Sequence, residues 1–409
     1  MRQRWAVLVS CFLVLVLLIP AFLGCGGGKA KGQKIVIGQL TDFTGPASAA
    51  LVVVNRALED TVRYWNEHGL IPGVTIKTAT YDTQWNPSRD IPGYDWVRQK
   101  GAEVVITYSG STVEALKYYT ARDKVPLVAL GSTISNLENP GWMLALVCPS
   151  GYVIKTLLQW ISEKHWDYSR GIPKIGGAGY DEPDTRDIIQ AMKQYCQDHP
   201  GEFEWVGGFL VPFGSLTWSG EVEALKDCDY LYAPGSVGGT VAFLQRFRAL
   251  GYEATVIGAD CPSGFRGLML DAFGYEATDG WLSALSCRWW TESFPVVDLA
   301  KQLLGQYRSE QAADIMYAGN SYVGVVGNYY SFLEIAKQAV EKVGAEQFDG
   351  QAFYDAALAY KTEGSFWQGY AQWGFTETRK YMVPYVHVYE WDAESKDMVC
   401  ISDWLPVVE

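Results

Sequence analysis

The feature that most constrains the fold is an alternation of short apolar runs with longer amphipathic segments, which the chain repeats twice. Before residue 149, predicted strands at 35–40, 75–81, 104–108 and 126–130 alternate with predicted helices at 49–68, 94–100 and 112–122. After Pro149-Ser150-Gly151, predicted strands at 174–179, 204–211, 229–233 and 255–258 alternate with predicted helices at 152–164, 187–197 and 241–251. Because a helix that joins two strands returns the chain to the same edge, this alternation predicts two α/β units with mostly parallel sheets. Only the tail differs, since the aromatic segments 370–375 and 383–391 predict a hairpin.

The composition indicates one large or two medium folded domains with a real core. The 409 residues are 48% hydrophobic and 19% charged, which excludes a disordered chain. The formal net charge is -13. An acidic surface argues against nucleic acid and against anionic lipid surfaces as partners.

The N-terminal residues have the pattern of a secretory signal. Basic residues in Met1–Arg4 precede an apolar run from Trp5 to Leu23, and Gly24-Cys25 follows. This pattern resembles the lipobox of bacterial lipoproteins, although Phe22 stands where Leu is usual. The resemblance implies a signal peptide at 1–24, lipidation of Cys25, a flexible tether at 25–33 and an extracytoplasmic body held at the membrane. The alternative is an uncleaved membrane anchor, since the apolar run is near spanning length.

Cysteine and histidine spacing disfavours a metal site. The six cysteines of the body are far apart and form no C-x-x-C pair: Cys148, Cys196, Cys228, Cys261, Cys287 and Cys400. The four histidines are likewise isolated. We therefore expect no metal, while disulfides and buried thiols both remain open for the cysteines.

Motifs of catalysis are missing from the sequence. No H-E-x-x-H or G-K-[ST] occurs, and Pro234 replaces the first glycine of a G-x-S-x-G elbow. Gly177-Ala178-Gly179 hints at a dinucleotide loop, but Glu182 stands where its third glycine belongs. We expect neither enzymatic activity nor a cofactor.

Hydroxyl side chains follow two predicted strands of the first unit. Ser109 ends one strand, and Ser132 and Thr133 end another. Ligands of open α/β sheets bind beyond the carboxyl ends of strands, where hydroxyls and helical N–H groups hold carboxylates. Asp260 ends a strand of the second unit, so it is a candidate partner for an ammonium group. The alternative for Asp260 is a helix N-cap or a turn aspartate, and Ser111-x-x-Glu114 has the pattern of a capping box, which needs no ligand.

Five segments, in order along residues 34–409, resemble the branched-chain amino-acid-binding proteins of ABC transporters. They are KIVIGQLTDFTGP (34–46), TVRYWNEHG (61–69), YDTQWNP (81–87), KVPL (124–127) and the late helix at 322–344 ending AKQAVEKVG. The resemblance implies a two-lobed type I periplasmic-binding-protein fold, with a mostly parallel, helix-flanked sheet in each lobe and three crossovers. Lobe one would span 34–149 plus 280–360, and lobe two 150–279 plus 361–409.

The same resemblance implies a solute site between the lobes. Ser109, Gly131, Ser132 and Thr133 fall at positions that grip an α-carboxylate, and Asp260 at a position that binds the α-ammonium. Three positions that often carry tyrosine in the family hold Ala50, Thr185 and Ser236 here. These small residues predict a pocket wider than leucine needs. The alternative is that other rings fill the space, the candidates being Tyr108, Tyr152, Tyr180 and Trp218.

The function implied is that of a monomeric, membrane-tethered solute-binding lipoprotein that closes on a small amino-acid-like or amide solute and docks on an ABC permease. Two alternatives remain open at this point: a ligand-sensing module of a signalling receptor, and an exported hydrolase, which the missing nucleophile disfavours.

Overall fold

The structure, a computed structural model, describes residues 32–138, 140–234, 237–259 and 263–409. The predicted signal peptide and Cys25 lie outside these residues, as do Ser236 and Asp260. Within the described ranges, no helix combines the length and the hydrophobicity that crossing a bilayer requires.

The first sheet has five parallel strands in the order β2-β1-β3-β4-β5. Its strands are β1 (Gln33–Thr41), β2 (Val74–Asp82), β3 (Ala102–Thr107), β4 (Leu127–Ala129) and β5 (Met143–Ala145). The helices between them are α1 (Ser48–Glu67), α2 (Asp90–Gln99), α3 (Gly110–Asp123) and α4 (Ile134–Glu138). Strands β3 to β5 are almost wholly buried, as expected when helices cover both faces of a parallel sheet.

The second sheet has eight strands, seven of them in the order β12-β11-β10-β9-β8-β6-β7, and β13 pairs with β11. Its strands are β6 (Lys174–Tyr180), β7 (Glu204–Val211), β8 (Tyr230–Tyr232), β9 (Thr255–Gly258), β10 (Leu282–Leu285), β11 (Tyr385–Asp392), β12 (Asp397–Cys400) and β13 (Leu405–Pro406). The helices are α5 (Ser150–Trp160), α6 (Pro183–Asp198), α7 (Ser219–Ala224), α8 (Val237–Ala249), α9 (Arg266–Phe273) and α10 (Tyr275–Thr278). The strands β6 to β10 are parallel, and β11 to β13 add antiparallel pairs.

The chain crosses between the two sheets three times: after β5, after β10 and before β11. Between the last two crossings lie α11 (Pro295–Tyr307), α12 (Ala312–Ala318), α13 (Val323–Val343) and α14 (Gly350–Ala359). Helix α13 packs on α1, and α14 contacts both α13 and β3. We call the first sheet with α1–α4 and α11–α14 the first lobe, and the second sheet with α5–α10 the second lobe.

Two expectations about boundaries need correction. Strand β10 lies inside the range 280–360 that was assigned to the first lobe, yet Leu282 pairs with Ile257 and Glu390 in the second sheet. The crossing therefore comes after residue 285. The strand expected at 370–375 is wrong, because Tyr370 and Trp373 stack edge to face at 5.1 Å and pack into the core instead. The hairpin consists of β11 and β12.

The described cysteines are not joined to one another by disulfides. Cys196 and Cys228 are buried thiols, and burial raises the pKa of each to about 12. Cys261 lies outside the described residues.

Candidate functional site

A cavity of about 630 Å³ lies between the lobes, at the carboxyl ends of both sheets. Residues 46–51 and Trp85 form its first-lobe wall, and residues 180–188 and 213–216 form much of its second-lobe wall. A smaller cavity of about 210 Å³ adjoins it and shares Leu51 and Phe265 in its lining. The position beyond the strand ends is where open α/β sheets bind ligands, and the volume suits a small organic molecule.

The loop from β1 to α1 is held in place by a buried carboxylate. Asp42 is completely buried, and its two oxygens accept hydrogen bonds from the backbone N–H groups of Thr44, Gly45 and Ala47. These bonds satisfy donors that would otherwise lie unpaired at the start of α1. As a result Pro46 and Ala47 are fixed in the cavity wall.

The loop after β2 brings an indole into the cavity through an unusual backbone. Gln84 and Trp85 both adopt left-handed conformations, with φ of 56° and 52°. Such conformations are costly for residues other than glycine and persist where the surroundings hold them. Burial raises the pKa of Glu182 in the second lobe, and the indole N–H of Trp85 acts against this rise. Trp85 was not predicted as a site residue, since residue preferences give no signal for a left-handed tryptophan.

Ser109, the first residue predicted to grip a carboxylate, already caps a helix. Its Oγ accepts a hydrogen bond from Thr112 N at 3.4 Å and lies 2.7 Å from Ser111 Oγ. Helix α3 therefore takes Ser109 as its N-cap. The capping box expected at Ser111 and Glu114 is wrong by two residues, because the helix starts earlier than the pattern suggested.

The three residues predicted after β4 differ in how their polar groups are used. Thr133 Oγ1 accepts a hydrogen bond from Asn136 N at 3.2 Å. Gly131 packs so tightly that a Cβ there would lie 2.8 Å from the carbonyl oxygen of Tyr108. Ser132 is 1% exposed, and its Oγ has no hydrogen-bond partner. None of the three lines the larger cavity, whose first-lobe wall consists of residues 46–51 and Trp85.

Two of the three small residues predicted in the pocket line the larger cavity. Ala50 belongs to its first-lobe wall and Thr185 to its second-lobe wall. Thr185 packs directly against Gly179 of β6. A Cβ at Gly179 would come within 2.3 Å of Thr185 Cγ2. The glycine therefore sets how closely α6 approaches the sheet. Ser236 and Asp260 lie outside the described residues.

Rings form much of the cavity wall. The ring of Tyr180 packs on that of Phe213, with their centroids 5.1 Å apart. Its hydroxyl donates a hydrogen bond of 2.7 Å to the carbonyl oxygen of Ser215. The other aromatic residues of the lining are Trp85, Tyr232 and Phe265. Of the rings suggested as alternatives, Tyr180 lines the larger cavity and Tyr108 the smaller one, whereas Tyr152 and Trp218 line neither.

Carboxylates at the start of α6 face the first lobe. Asp184 Oδ2 lies 3.7 Å from the points that Cβ atoms on Gly110 and Gly131 would occupy. Its Oδ1 is shielded from solvent and has no hydrogen-bond partner. Burial, together with the charges of Asp187 and Glu182, raises the pKa of Asp184 to about 7.

One turn later, Asp187 has partners from both lobes. Its Oδ1 accepts a hydrogen bond from Ile134 N at 3.1 Å in the first lobe, and its Oδ2 accepts one from Gly151 N at 2.9 Å in the second. The lobes are thus in direct contact around the cavity.

The charges around the two cavities have one sign. Among their described lining residues, Glu182 and Asp184 are acidic and none is Lys, Arg or His. Within the described residues, no three His, Cys, Asp or Glu side chains are grouped so that they could hold a metal ion.

Comparison with known proteins identifies the fold and the family. Residues 34–396 match the sequence profile of a family described as "Periplasmic binding protein". A search of curated proteins by sequence returned no match. Among solved structures, a branched-chain amino acid ABC transporter protein from Thermus thermophilus with bound valine aligns with a TM-score of 0.77 at 18% identity, over 91% of this chain and 97% of that one.

Two further structures have the same fold. A solute-binding protein from R. palustris in complex with benzoate aligns with a TM-score of 0.72 at 14% identity, over 92% of this chain and 97% of that one. A branched-chain amino acid transporter substrate-binding protein from Streptococcus pneumoniae in complex with isoleucine aligns with a TM-score of 0.71 at 14% identity, over 91% and 100% of the two chains. The family profile covers nearly the whole of the described body, and the two-lobed α/β fold agrees with it, so this chain belongs to the periplasmic binding protein family.

Proposed function

We propose that this protein is the extracytoplasmic solute-binding component of an ABC importer. Its two lobes close on a small amino-acid-like or amide solute and carry it to a permease. In this proposal the protein works as a monomer, and lipidation of Cys25 holds it at the membrane.

The observation that carries the proposal is the cavity of about 630 Å³ between the two lobes. A solute in this cavity contacts residues 46–51 on one side and 180–188 on the other. Because both walls bind the same molecule only when they are close together, the solute has higher affinity for the closed form and shifts the population toward it. The hydrogen bond from Ile134 N in the first lobe to Asp187 Oδ1 in the second supports this mode of closure, because it joins the two lobes beside the cavity.

The width of the cavity supports a solute larger than leucine. Ala50 and Thr185 leave space where bulkier side chains would narrow the lining, and the volume lies within the range of about 300–1,000 Å³ seen for drug-sized ligands. Aromatic residues on both walls suit a flat or branched apolar body.

The test is a thermal-shift panel of amino acids, amides and urea on the purified residues 33–409, followed by calorimetry and small-angle scattering on each hit. A solute that binds the folded state alone raises the melting temperature, and closure reduces the radius of gyration. We expect at least one member larger than leucine to do both. Tight binding of leucine with no larger partner refutes the wide pocket, and turnover of a bound compound refutes a binding role.

A further inference from the structure

We infer that the solute is an ammonium-bearing molecule with an apolar or aromatic body and no free carboxylate next to the ammonium, and that Glu182 and Asp184 bind its positive charge. This inference rests on the proposed function and names the chemical class of its solute.

The charges of the described cavity lining are unbalanced. Glu182 and Asp184 are its charged described lining residues, and both are acidic. Nothing in the described lining compensates them. An ammonium group forms charge-assisted hydrogen bonds with carboxylates, and the rings of Trp85, Tyr180 and Phe213 also favour a cation through their π faces.

An acidic side chain lies where an amino acid would place its carboxylate. The resemblance assigned that role to Ser109, Gly131, Ser132 and Thr133, at the ends of β3 and β4. The carboxylate of Asp184 already packs there, 3.7 Å from the points that Cβ atoms on Gly110 and Gly131 would occupy. A ligand carboxylate at this position would face a like charge across a small gap in a partly dehydrated site. The arrangement therefore selects against free amino acids at the same place where it favours amines.

One carboxylate oxygen of the cavity lining also lacks a partner. Asp184 lines the cavity, and its Oδ1 is shielded from solvent and accepts no hydrogen bond. Buried polar groups are normally satisfied, so unsatisfied ones at a ligand cleft indicate groups that a ligand completes. The raised pKa of Asp184 fits a carboxylate that still lacks its cation.

The test uses four compounds with one ring and different charges: phenethylamine, phenylalanine, 3-phenylpropionate and 3-phenylpropanamide. Calorimetry at pH 8 measures each affinity, and small-angle scattering measures closure. We expect phenethylamine to bind at least tenfold more tightly than the other three. If phenylalanine or 3-phenylpropionate binds most tightly with closure, the inference is overturned while the proposed function stands. If none of these, and no member of the wider panel, closes the lobes, both are overturned.

Variants then assign the charge to its residues. Asp184→Asn and Glu182→Gln are each expected to weaken phenethylamine binding about 10- to 100-fold, the range of a lost charge-assisted hydrogen bond. The affinity for 3-phenylpropanamide should change less than threefold. Asp181→Asn is the matched control, because Asp181 lies next to Glu182 but is exposed, pairs with Arg186 at 2.5 Å and does not line the cavity. Equal losses in all three variants would mean that net charge alone acts, which overturns the assignment.

Discussion

The carboxylates on the two sides of the cavity are used in opposite ways. Behind the first-lobe wall, Asp42 accepts three backbone hydrogen bonds, and Asp82 accepts two from backbone N–H groups and one from the Thr44 hydroxyl. On the second-lobe wall, Glu182 and Asp184 line the cavity itself, and Asp184 Oδ1 accepts no hydrogen bond. The first pair shapes a loop; the second pair is left able to bind something else. How fully a carboxylate is satisfied within the protein thus separates structural acids from binding acids.

Asp42→Ala should cause the largest effect if the first-lobe acids are structural. The substitution removes a buried carboxylate and leaves three backbone donors of a partly buried loop without their acceptor, so we expect the free energy of unfolding to fall by about 3–5 kcal/mol. Urea unfolding followed by circular dichroism measures it. Asp181→Asn, an exposed surface change, should stay within about 0.5 kcal/mol. A loss below about 1 kcal/mol for Asp42→Ala would remove the distinction between the walls.

Asp184→Asn, in contrast to Asp42→Ala, should increase the free energy of unfolding. The pKa of Asp184 is raised from 3.8 to about 7, so the folded protein keeps a proton at pH 4–7 that the unfolded chain has released. The loss of stability caused by the Asp184 charge is absent below pH 4, grows as the pH rises and reaches its full value above pH 7. Removing the charge should therefore increase the free energy of unfolding at pH 8 by on the order of 2–4 kcal/mol, since one pKa unit corresponds to about 1.4 kcal/mol.

The pH dependence and a second aspartate make this test specific. The gain in the free energy of unfolding should be smaller at pH 5, where Asp184 is largely protonated. The other acidic groups that raise its pKa are Glu182, Asp187 and Glu114. Asp90 provides the comparison, because burial also raises its pKa, to about 6, but it lies within the first lobe and accepts from Thr112 Oγ1 at 3.0 Å. Asp90→Asn should raise stability less and leave phenethylamine affinity unchanged. A loss of stability in Asp184→Asn at pH 8 would contradict the account.

Most of the fold could be predicted from the sequence, because buried parallel strands leave apolar runs that a reader can recognise. The runs at 35–40 and 204–211 correspond to β1 and β7. Strands β5 and β10, with three and four residues, were not predicted, although β4 and β9 of the same lengths were, so an apolar run this short is an unreliable signal. The prediction of a strand at 370–375 was wrong, because aromatic residues that pack into a core outside a sheet give the same sequence pattern as aromatic residues in a strand.

The site was harder to predict, because its contacts cross between the lobes. The small residues Ala50 and Thr185 were placed in the cavity wall through family resemblance, and both line it. Trp85 and Asp184 were missed. Trp85 lies in the family-like segment 81–87, but its significance comes from a left-handed backbone, and that of Asp184 from packing against Gly110.

Gly131→Ala tests how rigid the backbone after β4 is. A Cβ there would lie 2.8 Å from the carbonyl oxygen of Tyr108, so backbone must shift, and we expect a loss of about 1–3 kcal/mol in the free energy of unfolding. Gly220→Ala is the matched control, because a Cβ at this position in α7 meets nothing within 4 Å. The control should be neutral or slightly stabilising, by up to about 1 kcal/mol. Similar values for both variants would show that the strand end can adapt.

Trp85→Phe should have the smallest effect, and it examines how the indole of the first wall acts on an acid of the second. The substitution keeps a ring in the cavity but removes the indole N–H that opposes the rise in the pKa of Glu182. A single hydrogen bond to a buried carboxylate contributes about 1 kcal/mol or slightly more, so phenethylamine affinity should change about fivefold. Trp96→Phe, a change of the same type in α2 away from the cavity, should leave the affinity unaltered. The direction is informative. If the indole helps the lobes to close, the affinity falls. If it competes with the ammonium for Glu182, the affinity rises, and the acids of the second wall are then restrained by the protein in the same sense as Asp42, only more weakly.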